Sequence, residues 1–228
     1  MACRIYSLLP GLLLVAGTAG AQSRDLDVTA GDGTTLKATY YSPSKPGPGV
    51  ILLHQCNMNG KAWSSLVAAL TDRGMHVLTL DYRGYGDNRA VPNDYPKVPG
   101  DIDAALAVLL SQPGVDRNRS AAGGASCGVD RAVQLARRSG QIKALVLLSG
   151  TTTDAGLEYI QSTGMPVFLA FSADEGGPLP RMKSGVAASK NPATTIRELE
   201  HAGHGVPMFG AQPSLLPDLA DWLARVLR

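Results

Sequence analysis

A short run of small residues in the second half of the chain could hold a nucleophile. The run is Gly124-Ala125-Ser126-Cys127-Gly128. In the pattern Gly-x-Ser-x-Gly, the glycines allow a sharp turn from a strand into a helix, and the turn exposes the serine hydroxyl. Ser126 is therefore the candidate nucleophile. Cys127 does not fit, because the positions that would flank it at the same spacing hold Ala125 and Val129.

A serine hydroxyl attacks a carbonyl carbon only when a neighbouring base takes its proton. The candidate base is His204, in the glycine-flanked segment Ala202-Gly203-His204-Gly205. This segment follows the last predicted strand and so returns to the sheet edge at which the Ser126 turn lies. Three other histidines after residue 21 fit this role less well: His54, His76 and His201.

The base in turn needs a carboxylate to hold its ring and to stabilise the imidazolium. The chain order serine, acid, histidine puts this carboxylate after the predicted strand that starts at Pro166. Both Asp174 and Glu175 lie there. Aspartate is the more frequent third member, whereas counting along the strand from Pro166 points to Glu175. Both residues remain candidates.

Acyl transfer builds negative charge on a carbonyl oxygen, and two backbone N–H groups should stabilise that charge. One is expected from the residue after the nucleophile, Cys127. The other is expected from the loop His54-Gln55-Cys56-Asn57, with Cys56 as the donor and Gln55 as the fallback. This chemistry requires no metal and no other cofactor, and we expect none.

The two cysteines that follow residue 21, Cys56 and Cys127, thus occupy both candidate oxyanion positions. In an oxidising compartment they could form one disulfide, provided that their Cα atoms lie about 4.4–6.8 Å apart. The alternative is two buried free thiols that pack as small apolar side chains. A thiol-redox function is disfavoured because the chain has no Cys-x-x-Cys motif.

Residues 1–21 have the pattern of a secretory signal peptide. Arg4 supplies the positive region, an apolar stretch runs from Leu8 to Val15, and Ala19-Gly20-Ala21 is a small-residue cleavage site. The apolar stretch is too short to span a bilayer, which takes roughly 20 residues. We expect cleavage near Ala21, an exported (periplasmic or secreted) protein and no membrane span.

The remainder, residues 22–228, alternates strand and helix patterns. This alternation predicts a single α/β domain, with a mostly parallel sheet of about eight strands and helices on both faces. The strands predicted individually are 34–41, 49–54, 75–80, 120–123, 142–148, 166–171 and 194–199. Asp101 is predicted to cap a helix that stops before Pro113.

Composition narrows the class of protein further. The 228 residues are 44% hydrophobic and 18% charged, as in a globular domain of ordinary size. The formal net charge is +2, and no basic run is longer than two residues. A nucleic-acid-binding face would need clustered basic residues. We therefore expect a small-molecule substrate and no nucleic acid.

Four segments, taken in order, resemble the α/β-hydrolase superfamily. They are the strand ending at His54, the run Asp81-Tyr82-Arg83-Gly84-Tyr85-Gly86, the Ser126 run and the His204 segment. The likeness extends from about Thr34 to the C-terminus and is strongest to the small, lidless dienelactone-hydrolase-like group. It implies an α/β-hydrolase fold without a large lid and a serine hydrolase that cleaves a carboxylic ester or a related acyl bond.

Two positions depart from the family pattern. Dienelactone hydrolases proper have cysteine at the turn, where this chain has Ser126, so lactone specificity does not follow. The usual His-Gly after the first buried strand is replaced by His54-Gln55, which changes the candidate oxyanion loop. The alternative to an enzyme is a catalytically silent relative that binds a ligand, because fold alone does not determine function. A serine, a carboxylate and a histidine in the required order favour the enzyme.

Overall fold

The computed structural model describes residues 22–228, which form eight β-strands and seven α-helices. The predicted signal peptide lies outside the described residues. The strands are β1 (Gln22–Thr29), β2 (Thr35–Ser42), β3 (Gly47–Leu53), β4 (His76–Leu80), β5 (Val115–Ala125), β6 (Ala144–Leu148), β7 (Val167–Ser172) and β8 (Thr195–Leu199). The helices are α1 (Ser64–Asp72), α2 (Val98–Ser111), α3 (Cys127–Ser139), α4 (Asp154–Thr163), α5 (Leu179–Ala187), α6 (Met208–Ala211) and α7 (Leu215–Val226).

All eight strands belong to one sheet, in the order β1-β2-β4-β3-β5-β6-β7-β8. The pairs β1–β2 and β2–β4 are antiparallel, and the remaining pairs are parallel. The predicted fold class, a mostly parallel sheet of about eight strands, is confirmed. Because strands β3 to β8 run in the same direction, the loops after β3, β5, β6, β7 and β8 meet at one edge of the sheet.

Helices cover both faces of the sheet. Helices α2, α3, α4 and α5 contribute to the core on one face, and α1, α6 and α7 contribute to the core on the other. Successive residues of β3 alternate between the two: Ile51 and Leu53 belong to the first core, Val50 and Leu52 to the second. This two-sided burial explains why the inner strands are continuously apolar in sequence. Within residues 22–228, none of the helices has the length and apolarity needed to cross a bilayer.

Four elements differ from the sequence-based predictions. Strand β1 (Gln22–Thr29) was not predicted, because it is an edge strand with mostly exposed, polar side chains. Helices α5 and α6 were not predicted either. Asp101 was expected to cap α2, and this prediction is wrong: the helix begins at Val98, with Pro99 in its first turn. The Asp101 carboxylate instead accepts hydrogen bonds from the buried side chain of Arg83, at 2.6 and 2.7 Å.

Candidate active site

Ser126 lies at the junction of β5 and α3 with φ 52° and ψ −118°, a backbone conformation that residues other than glycine rarely adopt. Its backbone N–H donates to the carbonyl of Leu148, at the end of the adjacent strand β6, over 2.8 Å. The predicted strand, turn and helix are therefore present around Ser126. The turn puts this residue at the carboxyl edge of the sheet.

The two glycines of the motif are required by the close approach of the backbone. A Cβ on Gly124 would lie 2.0 Å from the carbonyl oxygen of Gly128, and one on Gly128 would lie 2.3 Å from that of Leu53. Both distances are far below van der Waals contact. The spacing Gly-x-Ser-x-Gly therefore has a steric cause in this chain.

The His204 ring contacts only one of the two candidate acids. Its Nδ1 lies 2.9 Å from Oε2 of Glu175, a residue in the short 3₁₀ turn after β7. Asp174 lies instead beside His201, with Oδ2 at 3.2 Å from the Nδ1 of that ring. With Nδ1 of His204 directed at Glu175, the Nε2 atom is left for the nucleophile.

Asp174 has the surroundings of a solvated loop charge. The hydroxyl of Ser172 donates to its carboxylate, and His201 contacts it as well. These two contacts, the Ser172 hydrogen bond first, lower the pKa of Asp174 below its usual value. The side chains of Asp174 and His201 are both exposed. The structure therefore separates the two adjacent acids into two environments.

Two serines hold the Glu175 carboxylate from the side opposite His204. The Ser149 hydroxyl donates to Oε1 over 2.6 Å, and the Ser172 backbone N–H donates to the same oxygen over 3.0 Å. Ser149 is buried and has φ 50°, so it is a second strained residue at this edge. The sequence patterns did not predict a role for Ser149. Its only sequence mark is a serine followed by a glycine directly after a buried strand.

Ser126, Glu175 and His204 line one open pocket of about 410 Å³. The remaining lining residues are Cys127, Ser149, Gly150, Thr151, Gly176, Pro178 and Leu179. Among residues 22–228, no hydrogen bond joins the Ser126 hydroxyl to the His204 ring. Such bonds commonly tighten only in the complex with substrate.

A disulfide joins Cys56 to Cys127, with the two Cα atoms 5.9 Å apart. Of the two alternatives left open by the sequence, the structure has the bridged form. The bond links the loop after β3 to the first residue of α3, directly beside Ser126. It therefore connects the two residues that are predicted to supply the oxyanion donors.

The backbone N–H groups of Cys56 and Cys127 have no acceptor within the part of the chain that the structure describes. Cys127 is the first residue of α3, where a helix leaves N–H groups unpaired. Before Cys56, the carbonyl of Gln55 accepts from the His54 ring at 2.8 Å and from the N–H of Met58 at 3.0 Å. Because the C=O and N–H of a trans peptide point in opposite directions, these two bonds turn the Cys56 N–H away from His54.

His54 is fully buried, and its neutral ring holds the Gln55–Cys56 peptide in place. Its Nε2 accepts the backbone N–H of Tyr82 over 3.1 Å, so Nδ1 carries the proton that goes to the Gln55 carbonyl. Burial lowers the pKa of His54 to about 4. His54 was predicted to lie near the site but without this role, because the role depends on a contact with the loop that follows β4.

Gln55, the fallback oxyanion donor, also uses its side chain. The amide oxygen accepts the backbone N–H of Val206 over 3.0 Å, and the amide nitrogen donates to Asn57 over 2.8 Å. The side chain thereby crosses from the loop after β3 to the segment that carries His204. This link was not predicted from the sequence.

Solved structures identify the fold. The chain superposes on the Pyrococcus furiosus esterase Pf2001 with a TM-score of 0.76 and 17% identity, covering 91% of this chain and 92% of that one. It superposes on a dienelactone hydrolase from Anabaena variabilis with a TM-score of 0.73 and 18% identity, covering 91% and 99%. The chain has the α/β-hydrolase fold. The α/β-hydrolase resemblance seen in the sequence is thus confirmed at the level of fold.

The matches to sequence relatives cover only part of the length of those relatives. The Mycobacterium tuberculosis protein Rv2307c is 34% identical over 166 residues, which is 72% of this chain and 58% of that protein. The Escherichia coli protein YfhR is 30% identical over 112 residues, or 46% of this chain and 39% of that protein. No family model matches the chain.

Proposed function

We propose that this protein is an exported serine hydrolase that cleaves carboxylic esters through an acyl-enzyme intermediate. One arrangement carries the proposal. Ser126, on a strained turn, shares a pocket with His204, and the His204 ring contacts the mostly buried carboxylate of Glu175. The structural neighbours that are named esterase and dienelactone hydrolase support a hydrolase.

In the first half of the reaction, the Ser126 oxygen attacks the ester carbonyl carbon while Nε2 of His204 takes the hydroxyl proton. Glu175 stabilises the imidazolium that forms. The carbonyl oxygen becomes an oxyanion, which accepts hydrogen bonds from the N–H groups of Cys56 and Cys127. When the tetrahedral intermediate collapses, the bond to the alkoxy oxygen breaks, and His204 returns the proton to the leaving alcohol.

In the second half, water replaces the alcohol. His204 removes a proton from the water as its oxygen attacks the acyl carbon, and the same two N–H groups stabilise the second oxyanion. The bond to the Ser126 oxygen then breaks, and His204 protonates that oxygen. The products are a carboxylic acid and the free enzyme, so the cycle balances without a cofactor.

The shape of the site favours small or exposed esters. The pocket is open and measures about 410 Å³. The connection between β6 and β7 contains α4, whose Leu157 and Ile160 are packed in the core of the sheet and so do not form a cover over the site. A long acyl chain would find few apolar side chains to bury it. We therefore propose short-chain esters as the substrate class.

Export is proposed on two grounds. The leader pattern of residues 1–21 is the first. The second is the disulfide between Cys56 and Cys127, since such bonds persist mainly in oxidising compartments. Mass determination of the N-terminus of the protein recovered outside the cytoplasm tests this part. We expect it to begin near Gln22, and an intact leader on cytoplasmic protein would contradict export.

Ester turnover tests the enzymatic proposal. We expect hydrolysis of p-nitrophenyl esters, fastest for acetate and butyrate, and loss of this activity in Ser126→Ala. Ser111→Ala, on the exposed surface of α2, is the matched control and should retain the wild-type rate. A folded wild-type protein that hydrolyses none of the series would favour the silent ligand-binding alternative.

A further inference from the structure

The segment that carries His204 has glycines on both sides. Gly203 and Gly205 have φ angles of 78° and 69°, which favour glycine and leave the backbone pliable here. The His204 side chain is 51% exposed, so packing alone does not fix it. Its position must therefore depend on how the neighbouring backbone is held.

Two side-chain hydrogen bonds hold that backbone at either end. The Ser172 hydroxyl accepts the N–H of Ala202 over 2.9 Å, and the Gln55 amide oxygen accepts the N–H of Val206 over 3.0 Å. The three residues between these points are Gly203, His204 and Gly205. The segment is thus a short span between two anchors.

The anchor from Gln55 is buried and sterically matched. Gln55 is only 2% exposed. Because the backbone N–H of Val206 can only donate, the Gln55 side chain must present its amide oxygen, not its amide nitrogen, to Val206. A Cβ on Gly205 would lie 2.3 Å from that oxygen. Glycine at 205 therefore makes room for the glutamine oxygen. The family pattern His-Gly would supply no side chain for this contact.

The main chain of Gln55 belongs to the other half of the site. Its carbonyl is held by His54 and by the N–H of Met58, which sets the Cys56 N–H. One residue thus holds the loop of the oxyanion donor through its backbone and the loop of the base through its side chain.

We propose that Gln55 is a positioning residue that sets His204 relative to the oxyanion donors. The inference rests on the proposed function for its catalytic consequence. Without the Gln55 bond to Val206, the only side-chain hydrogen bond on this span is the one at Ala202. Its other end is then held only by the local backbone bonds that Met208 and Phe209 donate to Gly205 and Val206. The His204 ring then spends less time with Nδ1 on Glu175 and Nε2 towards Ser126. The chemical step is slowed, while substrate binding in the open pocket is largely kept.

The test compares four variants. Gln55→Met keeps an unbranched chain and removes the acceptor. Gln55→Ala also removes it and leaves space for a water molecule, so it serves where the methionine variant does not fold. Gln55→Glu keeps an oxygen that can accept the N–H of Val206, so it should retain activity. Asn57→Ala is the matched control, because it removes the other side-chain partner of Gln55 and leaves the Val206 contact in place.

Two readouts are needed. We expect Gln55→Met and Gln55→Ala to lower kcat on p-nitrophenyl acetate about 10- to 100-fold with KM changed by less than about threefold. Gln55→Glu and Asn57→Ala should stay within about threefold of the wild type in both constants. In long-range ¹H–¹⁵N spectra of the histidine rings, the Nδ1–H tautomer of His204 should dominate in the wild type, Gln55→Glu and Asn57→Ala. It should lose population in the other two.

The spectra distinguish failure of this inference from failure of the proposed function. If the wild type hydrolyses no ester, the function fails, and the tautomer still reports whether Gln55 holds the ring. If the folded Gln55→Met or Gln55→Ala protein loses thermal stability but keeps both kcat and the His204 tautomer, Gln55 only satisfies a buried N–H. That result would overturn the inference.

Discussion

Glu175 and Asp174 are neighbours in the chain with opposite surroundings. The Glu175 side chain is 14% exposed, and its two oxygens face Ser149 on one side and His204 on the other. The Asp174 side chain is 53% exposed and faces His201. One step along the 3₁₀ turn is enough to move a carboxylate from the pocket to solvent. The division of roles between the two acids is therefore open to direct test.

We expect Glu175→Gln to lower kcat by about 10²- to 10⁴-fold, because an amide cannot stabilise the His204 imidazolium and can impose the wrong ring tautomer. Asp174→Asn is the matched control and should stay within about threefold of the wild type. Steady-state kinetics on p-nitrophenyl acetate measure both. An equal loss in the two variants, or a larger loss in Asp174→Asn, would contradict the assignment of Glu175 as the acid.

The neutral state of His54 gives a pH dependence of stability. Its pKa falls from 6.5 to about 4 on folding, mainly through burial. The unfolded chain therefore binds more protons between these values, and folding stability is lost as the pH falls from 6.5 towards 4. We expect the free energy of unfolding to fall by about 2–3 kcal/mol from this group alone.

Urea unfolding of the wild type and of His54→Gln at several pH values measures this contribution. The slope between pH 7 and 4 should be smaller in the variant. Burial lowers the pKa of His76 too, so both proteins share that part of the slope and the difference isolates His54. Equal slopes would show that His54 is not held neutral.

At the scale of elements, the loops after β3, β5, β7 and β8 are cross-linked at one edge of the sheet. The disulfide joins the loop after β3 to α3, and the Gln55 side chain joins the same loop to the His204 segment. The Glu175–His204 contact joins the loops after β7 and β8. These links are covalent or polar, so they fix distances that apolar packing of the strands does not.

The disulfide should contribute strongly to stability. It closes a loop with a sequence separation of 71 residues, for which chain entropy predicts about 4 kcal/mol. We expect Cys56→Ala/Cys127→Ala to lower the free energy of unfolding by that order and to lower kcat, because the oxyanion donors lose their link. Denaturant unfolding and ester kinetics measure the two effects.

Reductant provides the control for this prediction. A dithiol should weaken the wild type towards the level of the double variant and should leave the double variant unchanged. A wild type whose stability and kcat do not respond to complete reduction, verified by thiol titration, would show that the bond is dispensable.

At the scale of the whole molecule, a buried ion cluster ties distant parts of the sheet together. The Arg83 guanidinium pairs with Asp101 of α2 and with Asp32 of the β1–β2 turn. The side chains of Arg83 and Asp101 are only 4% and 2% exposed. The hydrogen bonds that Arg83 donates to the two carboxylates, the one to Asp101 first, raise the pKa of Arg83 above its usual value. The cluster thus holds the loop after β4 against the edge of the sheet.

Removing Asp101 leaves the buried Arg83 guanidinium with Asp32, at the partly exposed β1–β2 turn, as its remaining ion-pair partner. The Arg83 N–H groups that donate to Asp101 lose their acceptor. We therefore expect Asp101→Ala to lower the free energy of unfolding by about 2–4 kcal/mol. Asp103→Ala is the matched control, since it removes an exposed pair with Arg138 two residues away and should change stability by less than about 1 kcal/mol. Similar losses in the two variants would show that burial of the cluster carries no special penalty.

Much of the architecture followed from sequence periodicity, because the inner strands are continuously apolar and the turn at Ser126 has sterically required glycines. Strand β1 escaped prediction because its side chains are mostly exposed and alternate weakly. Asp101 was misassigned because its true partner, Arg83, comes from another loop. Local pattern does not encode such a partner.

The candidate site divides in the same way. The types and order of the reacting residues could be taken from the sequence, whereas the choice between Asp174 and Glu175 depends on a shift of one residue in a loop. The contacts of Ser149, His54 and Gln55 join segments that are far apart in the chain. Only the folded arrangement of strand ends brings them together.

Covalent labelling of the nucleophile tests the central claim most directly. A fluorophosphonate probe reacts with a serine whose proton is removed by a neighbouring base, and the site of attachment can be mapped by peptide mass spectrometry. The account predicts one label per chain, on Ser126, and none on folded Ser126→Ala. A folded wild-type protein that takes up no label, or takes it up at another residue, would contradict it.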